Sequence, residues 1–209
     1  MSVTPQDTRE KILIWTDGSS NREKQDGGMA FASTFQDRRM ERWQGYGPST
    51  TNNQMEIGAI LLALSCLQAT AFPVIIYSDS KYTINCLTMW HQRWARNGWK
   101  KADGGPVQNK ELIQATLSRL MAFRRFANVT FEWVKGHSGN VENERVDFLA
   151  SASRRQMISN VAHPLALDKG ITGSPALYSP DKEPINDFQK APKQADKELL
   201  RRKRRFDHE

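Results

Sequence analysis

Four carboxylates stand where a charge is costly. Asp17 and Asp79 follow short apolar runs, Ile12-Leu13-Ile14-Trp15 and Val74-Ile75-Ile76-Tyr77. Glu56 lies near the start of a long apolar stretch, and Asp147 adjoins Phe148 and Leu149. An ionised acid drawn out of water needs a counter-charge, and no basic residue adjoins any of them in sequence. If the four converge, they repel one another unless cations sit between them. A ligand set made only of oxygens suits Mg2+ or Mn2+ rather than Zn2+. Two such ions a few Å apart activate a water and stabilise a leaving oxygen in phosphodiester cleavage. Singly, the acids have plainer readings. Asp17-Gly18 also reads as a turn after a strand. Glu56 also reads as a capping-box acid three residues after Asn53, a role compatible with binding metal.

Convergence depends on the elements that carry the acids. Ile12 to Trp15 reads as a strand buried on both faces. A polar turn, Ser20 to Asp26, leads into two strands at Met29–Phe35 and Arg38–Tyr46, antiparallel by their meander. Asn52 or Asn53 caps a helix whose stripe is Met55, Ile57, Ile60, Leu61, Leu64 and Leu67, ending near Pro73. Val74–Tyr77 is a second buried strand. A helix from Lys81 to Trp90 continues through a Trp- and Arg/Lys-rich stretch to Lys101, before Gly104-Gly105-Pro106. Asn109–Arg125 is an amphipathic helix with Leu112, Ile113, Leu117, Leu120 and Met121 as its stripe. Val129–Val134 is the fifth strand, Lys135–Asn140 a loop, and Glu142 to about Gln156 the last helix. The order predicts an α/β fold, a five-stranded mixed sheet with helices on both faces. The ends of adjacent strands and the flanking helices then meet at one cleft.

With the acids so placed, five stretches in a fixed order resemble bacterial-type ribonuclease HI. They are Thr16-Asp17-Gly18-Ser19, Thr51-Asn52-Asn53-Gln54-Met55-Glu56, Ser78-Asp79-Ser80, Trp133 to Gly139, and Glu142-Asn143-Glu144-Arg145-Val146-Asp147. The resemblance covers roughly Ile12 to Arg154. It implies the RNase H-like fold and metal-dependent cleavage of the RNA strand of RNA–DNA hybrids, leaving 5′-phosphates. It implies Asp17, Glu56, Asp79 and Asp147 as ligands of two Mg2+ ions, with Mn2+ as a substitute. His137 would assist proton transfer or product release from a mobile loop, and Glu144 would be an auxiliary acid beside the second metal.

The resemblance also implies a grip on substrate. Arg93, Arg96, Lys100 and Lys101 would meet DNA phosphates, with Trp90 packing on deoxyribose and Trp94 and Trp99 holding the protrusion together. Thr51, Asn52 and Asn53 follow the family's nucleic-acid-contacting pattern. The 2′-hydroxyl that marks RNA needs polar partners; backbone around Gly18 and Ser19, and the side chains of Asn52 and Gln54, are suited to it. One stretch departs from the family. The loop after the first strand is usually rich in glycine and proline, with an asparagine near a DNA phosphate. Here it reads Ser20-Asn21-Arg22-Glu23-Lys24-Gln25-Asp26, with Glu23 in the asparagine's place and Asn21 earlier.

The bulk numbers agree with an anionic partner. The chain has 209 residues and a formal charge of +7, which favours nucleic acid. Cys66 and Cys86 form no CxxC pair, so they read as reduced thiols of a cytoplasmic protein. No signal region or membrane-length apolar run is present in the sequence, and a monomer is expected. The sequence divides into an extension at 1–10, a catalytic domain at 11–159 and a tail at 160–209. The tail is rich in proline and ends in the basic run Arg201 to Arg205; its composition predicts disorder, with a short helix forming on binding. Two rival functions are a catalytically silent hybrid-binding module and another nuclease or integrase of the same fold. The complete acid set argues against the first, and the Lys135-Gly136-His137 loop with the tryptophan protrusion against the second.

Overall fold

All five expected strands form, the first running on through Asp17 and Gly18 to Ser20 rather than turning there. In the computed structural model, which describes residues 11–67 and 70–161, these are β1 (Ile12–Ser20), β2 (Gly27–Phe35), β3 (Arg38–Tyr46), β4 (Val74–Ser78) and β5 (Val129–Trp133). They form one sheet in the order β3-β2-β1-β4-β5. β2 pairs antiparallel with both β1 and β3, whereas β4 lies parallel to β1 and to β5. The helices are α1 (Asn52–Cys66), α2 (Lys81–Asn85), α3 (His91–Arg96), α4 (Lys110–Arg124) and α5 (Val141–Gln156), with a π-helical turn at Cys86–Trp90 between α2 and α3.

Alternation along the strands divides the core between two faces. Ile14, Met29, Phe31 and Ile76 meet α1 and α4 through Ile57, Ile60, Leu64, Leu112, Ile113 and Leu120. Trp15, Ala30 and Ala32 meet Val146, Leu149 and Ala150 of α5 on the other face. Gly28 and Gly45 let α5 lie close, because a Cβ at either would overlap backbone or side-chain atoms of α5. The parallel register ends at the Thr16–Ser78 pair. Asp17, still within β1 opposite Ala30 of β2, and Asp79, the first residue after β4, therefore stand at the same level, just past the end of the parallel pair.

The structure corrects several local expectations. The capping residue of α1 is Thr51, whose box partner is Gln54; Glu56 stands outside the box and has no capping duty. That helix stops at Cys66, with Leu67 already extended, well before Pro73. On α4, Met121 is 67% exposed and Phe123 is buried instead. Ile113, Thr116, Leu120 and Phe123 recur at three- and four-residue steps and so share one face, which Met121 misses. The helical stretch expected to reach Lys101 ends at Arg96. Gly98 and Trp99 both turn to positive φ there, which folds the chain back so that Lys100 bridges Pro106. Beyond α5, the segment up to Val161 stays packed. Ser159 bridges Gln44, the Asn160 side chain accepts from Trp43 N at 2.8 Å, and Val161 is 3% exposed. The packed chain thus runs past residue 159. The rest of the expected tail, and the 1–10 extension, lie outside the described residues. Among the described residues, no helix is long and apolar enough to cross a membrane.

Candidate active site

Backbone packing brings the acids together. Gly18 lies against the first turn of α1, where a Cβ would overlap the Glu56 amide nitrogen and the Met55 carbonyl carbon. The missing side chain lets the end of β1 touch the helix, and Asp17 is set beside Glu56. From the other side Gly136 approaches Asp79 so closely that a Cβ would stand 2.5 Å from its Oδ2. Asp17 and Glu56 are buried, Asp79 is half-buried, and one carboxylate oxygen from each lies within 4.8 Å of the others.

The electrostatics of this triad are unfavourable without a counter-charge. Asp17 has one neutral donor, the Gly18 amide at 2.8 Å on its Oδ1. Asn52 Nδ2 reaches Glu56 Oε1 at 3.4 Å. Glu56 Oε2 is buried with no donor; Asp17 lies beside it, and two carboxylates bond only by sharing a proton. Burial, then the charges of Asp79 and Asp147, push the Asp17 carboxyl well above the ordinary range. Burial, then Asp17 and Asp79, do the same to Glu56. An orphaned oxygen, an all-oxygen donor set and unrelieved repulsion together fit a divalent cation.

Asp147 stands outside the close triad. It projects from α5 near enough for its charge to act on Asp17, and its Oδ2 lies 3.6 Å from His137 Nδ1. His137 is 74% exposed and sits at positive φ, a conformation unusual for a residue with a side chain. Glu144 does not point into the triad: its Oε1 accepts the Gly139 amide at 2.7 Å and so ties the His137 loop to α5. Asn140 caps α5 through the Asn143 amide.

The expected binding residues divide in the same way. Thr51 is engaged in the α1 cap, accepting from the Gln54 amide while its own amide donates to Gln54 Oε1. Asn52 is exposed and Asn53 half-buried. Arg93, Arg96, Lys100 and Lys101 are all exposed, with Lys101 3.4 Å from Asp103. Trp90 is 37% exposed and edge-on to Tyr82, whereas Trp94 and Trp99 pack against the main core. In the variant loop, Asn21 Oδ1 accepts the Glu23 and Lys24 amides, so it caps its own turn, and Glu23 faces solvent.

Sequence reasoning assigned no role to Trp133. Its indole N–H donates to the Asp79 carbonyl at 3.0 Å, and Lys81 Nζ lies 4.1 Å above its ring. In the sequence it heads the Trp133–Gly139 stretch, and an aromatic at the end of a strand ordinarily means core; here it is 48% exposed.

Comparison with known proteins agrees with this geometry. The RNase H family model matches residues 9–155. The Ribonuclease H of Prosthecochloris aestuarii (strain DSM 271 / SK 413) is 39% identical over 153 residues, covering 73% of this chain and 98% of that protein. The Ribonuclease H of Bradyrhizobium sp. (strain ORS 278) is 42% identical over 139 residues, covering 66% and 86%. Among solved structures, LC9-RNase H1, a type 1 RNase H with the type 2 active-site motif, is similar with a TM-score of 0.62 and 26% identity. That match covers 76% of this chain and 77% of the other.

Proposed function

Because the chain belongs to the RNase H family, and is a ribonuclease H hydrolase, we propose that it cleaves the RNA strand of RNA–DNA hybrids by two-metal-ion phosphodiester hydrolysis. The observation that carries this is the buried triad of Asp17, Glu56 and Asp79, with an oxygen of Glu56 left without a donor.

Asp17, Glu56 and Asp79 are the residues to hold the first cation, and Asp147, beside Asp17 electrostatically, completes the set for a second. Bound there, Mg2+, or Mn2+ in its place, supplies a lowered pKa for the attacking water and charge neutralisation at the leaving oxygen. The chain's own groups do the rest. Glu144 fixes the loop through the Gly139 amide, and Asp147 faces Nδ1 of His137. That leaves His137 Nε2 to take up or deliver a proton from an exposed position. Arg93, Arg96, Lys100 and Lys101 hold the DNA strand by its phosphates, and the exposed part of Trp90 packs on a sugar. Asn52 and Asn53, at the mouth of α1, with the backbone at Gly18 and Ser19, supply polar contacts to the RNA strand. Thr51 sets the turn from which they project. The variant loop, with Asn21 engaged and Glu23 outward, contributes no phosphate pocket of the family's usual kind.

The test is incubation with Mg2+ and a labelled RNA–DNA hybrid, beside duplex RNA and duplex DNA. Cleavage confined to the RNA of the hybrid, leaving 5′-phosphates and stopped by chelation, is expected. Binding without cleavage, or equal cleavage of duplex DNA, would overturn the reading.

A further inference from the structure

A second cluster of charged groups lies between β3 and the first turns of α5. Glu41, 8% exposed, accepts from Arg145 Nε at 3.2 Å and Nη2 at 3.0 Å. It also accepts from Arg39 Nε at 2.8 Å. Arg39 in turn forks onto Glu142, at 2.9 and 2.7 Å. Two acids and two guanidinium groups thus form a chain, Arg145–Glu41–Arg39–Glu142, whose two ends both lie on α5. A buried carboxylate with two guanidinium partners is fully satisfied, and a planar fork fixes direction as well as distance. The Glu41 carboxyl is correspondingly held below its usual range, despite its burial.

The helical period gives this chain of ion pairs its meaning. Residues three apart on a helix share a flank. Glu142 and Arg145 form the flank of α5 that β3 grips. Glu144 and Asp147 lie on roughly the opposite side of the helix, the side that carries the tie to the His137 loop and the acid beside Asp17. Rotation of α5 about its axis would move the second pair in step with the first. α5 also meets the sheet through Val146, Leu149 and Ala150 against Trp15, Ala30 and Ala32; apolar contacts carry no direction of their own, whereas the guanidinium forks do.

We propose that Glu41 and Arg145 are positioning residues, which set the roll of α5 and thereby the placement of Asp147 and of the loop bearing His137. Neither touches the reacting atoms. The inference rests on the reading above for what Asp147 does, but one of its tests needs no catalysis.

Three variants separate positioning from general stability. Glu41→Gln removes the charge and one acceptor, Arg145→Lys keeps the charge and loses the fork, and Ile113→Val trims a fully buried side chain on α4. Each is followed by melting temperature, by kcat and KM on a hybrid, and by amide hydrogen exchange of the metal-free protein. Glu41→Gln is expected to lower kcat about ten- to a hundredfold, the scale of a misplaced catalytic group, with KM within about twofold. Arg145→Lys should fall between it and the parent. Exchange at residues 141–147 should quicken at least about tenfold in Glu41→Gln and not in Ile113→Val. Ile113→Val should lower the melting temperature without lowering kcat. Wild-type kcat in Glu41→Gln, or exchange unchanged at 141–147, would overturn the inference. If the parent protein itself fails to cleave hybrid, the functional reading falls, and the exchange comparison still decides the positioning role.

Discussion

At the scale of residues, the acids behave as sites waiting for charge. Asp17 and Glu56 hold their protons above the ordinary carboxylate range because of burial and mutual repulsion. A group whose folded pKa is raised stabilises the fold at low pH and loses that contribution as pH climbs through the raised value. Metal-free protein should therefore lose stability from these two groups as pH rises above about 4, the unfolded carboxylate range. Mg2+ should restore it, so the metal-induced rise in melting temperature should grow with pH. Asp17→Asn should raise metal-free stability at neutral pH by about 1–3 kcal/mol, the scale of a buried group relieved of an unmet demand, and should shrink the Mg2+ effect. Thermal melts across pH, with and without Mg2+, check both; a Mg2+ effect independent of pH, or a destabilised Asp17→Asn, would contradict them. His137 is a separate case, since its side chain is largely exposed and packs against little. His137→Ala should leave the melting temperature unchanged and slow turnover by roughly a hundredfold, in the range of a lost acid–base group. Unchanged turnover across neutral pH would make it a bystander. Asp17 and Asp79 were legible in the sequence because each ends a buried run. Glu41 was not: it sits between Met40 and Arg42 in a charged strand, and its partner Arg145 is 104 residues away. Nothing local marks an acid that burial will pair at such a distance.

At the scale of elements, strands were easier to read than helix ends. β1 and β4 followed from apolar runs, and their parallel register delivers Asp17 and Asp79 to one level. Helix limits depend on capping chemistry that several residues could supply. Thr51, Asn52 and Asn53 are all competent caps, and the choice of Thr51 is settled by Gln54 answering it across the turn. The stretch after α2 misled for another reason. Its tryptophans recur at near-helical spacing, yet the positive φ at Gly98 and Trp99 folds Trp99 back toward Trp94, ring centroids 6.4 Å apart. The result is a compact protrusion with Arg93, Arg96, Lys100 and Lys101 outward. Replacing these four by neutral residues should raise KM and flatten the salt dependence, each lost phosphate contact lowering the log–log slope by roughly 0.9 on duplex DNA. Hybrid cleavage titrated with salt would show it. A reduced kcat with an intact salt slope would mean that the protrusion does not bind phosphate.

At the scale of the whole molecule, packing runs on past residue 159 to Val161 among the described residues, and no local signal marks Ser159 and Asn160 as part of it. Their roles are visible only against β3, where one bridges Gln44 and the other bonds Trp43. A chain ending after Val161 should keep the melting temperature and kcat of the full-length protein. One ending at Met157 should lose about 1.5–3 kcal/mol for the buried Val161 alone. The basic run Arg201 to Arg205 is proposed as a tethered anchor for nucleic acid, so full-length protein should bind long hybrids more tightly than the shortened chain, most of all at low salt. Equal affinities at two ionic strengths would remove that role. The central claim, that the buried acids hold the metal for cleavage of hybrid RNA, is tested most directly by comparing Asp17→Asn with the parent on one labelled hybrid in Mg2+, reading cleavage and binding in parallel. The account predicts near-complete loss of cleavage with binding retained or improved, because one charge that repels phosphate is gone. Substantial cleavage by Asp17→Asn would contradict it.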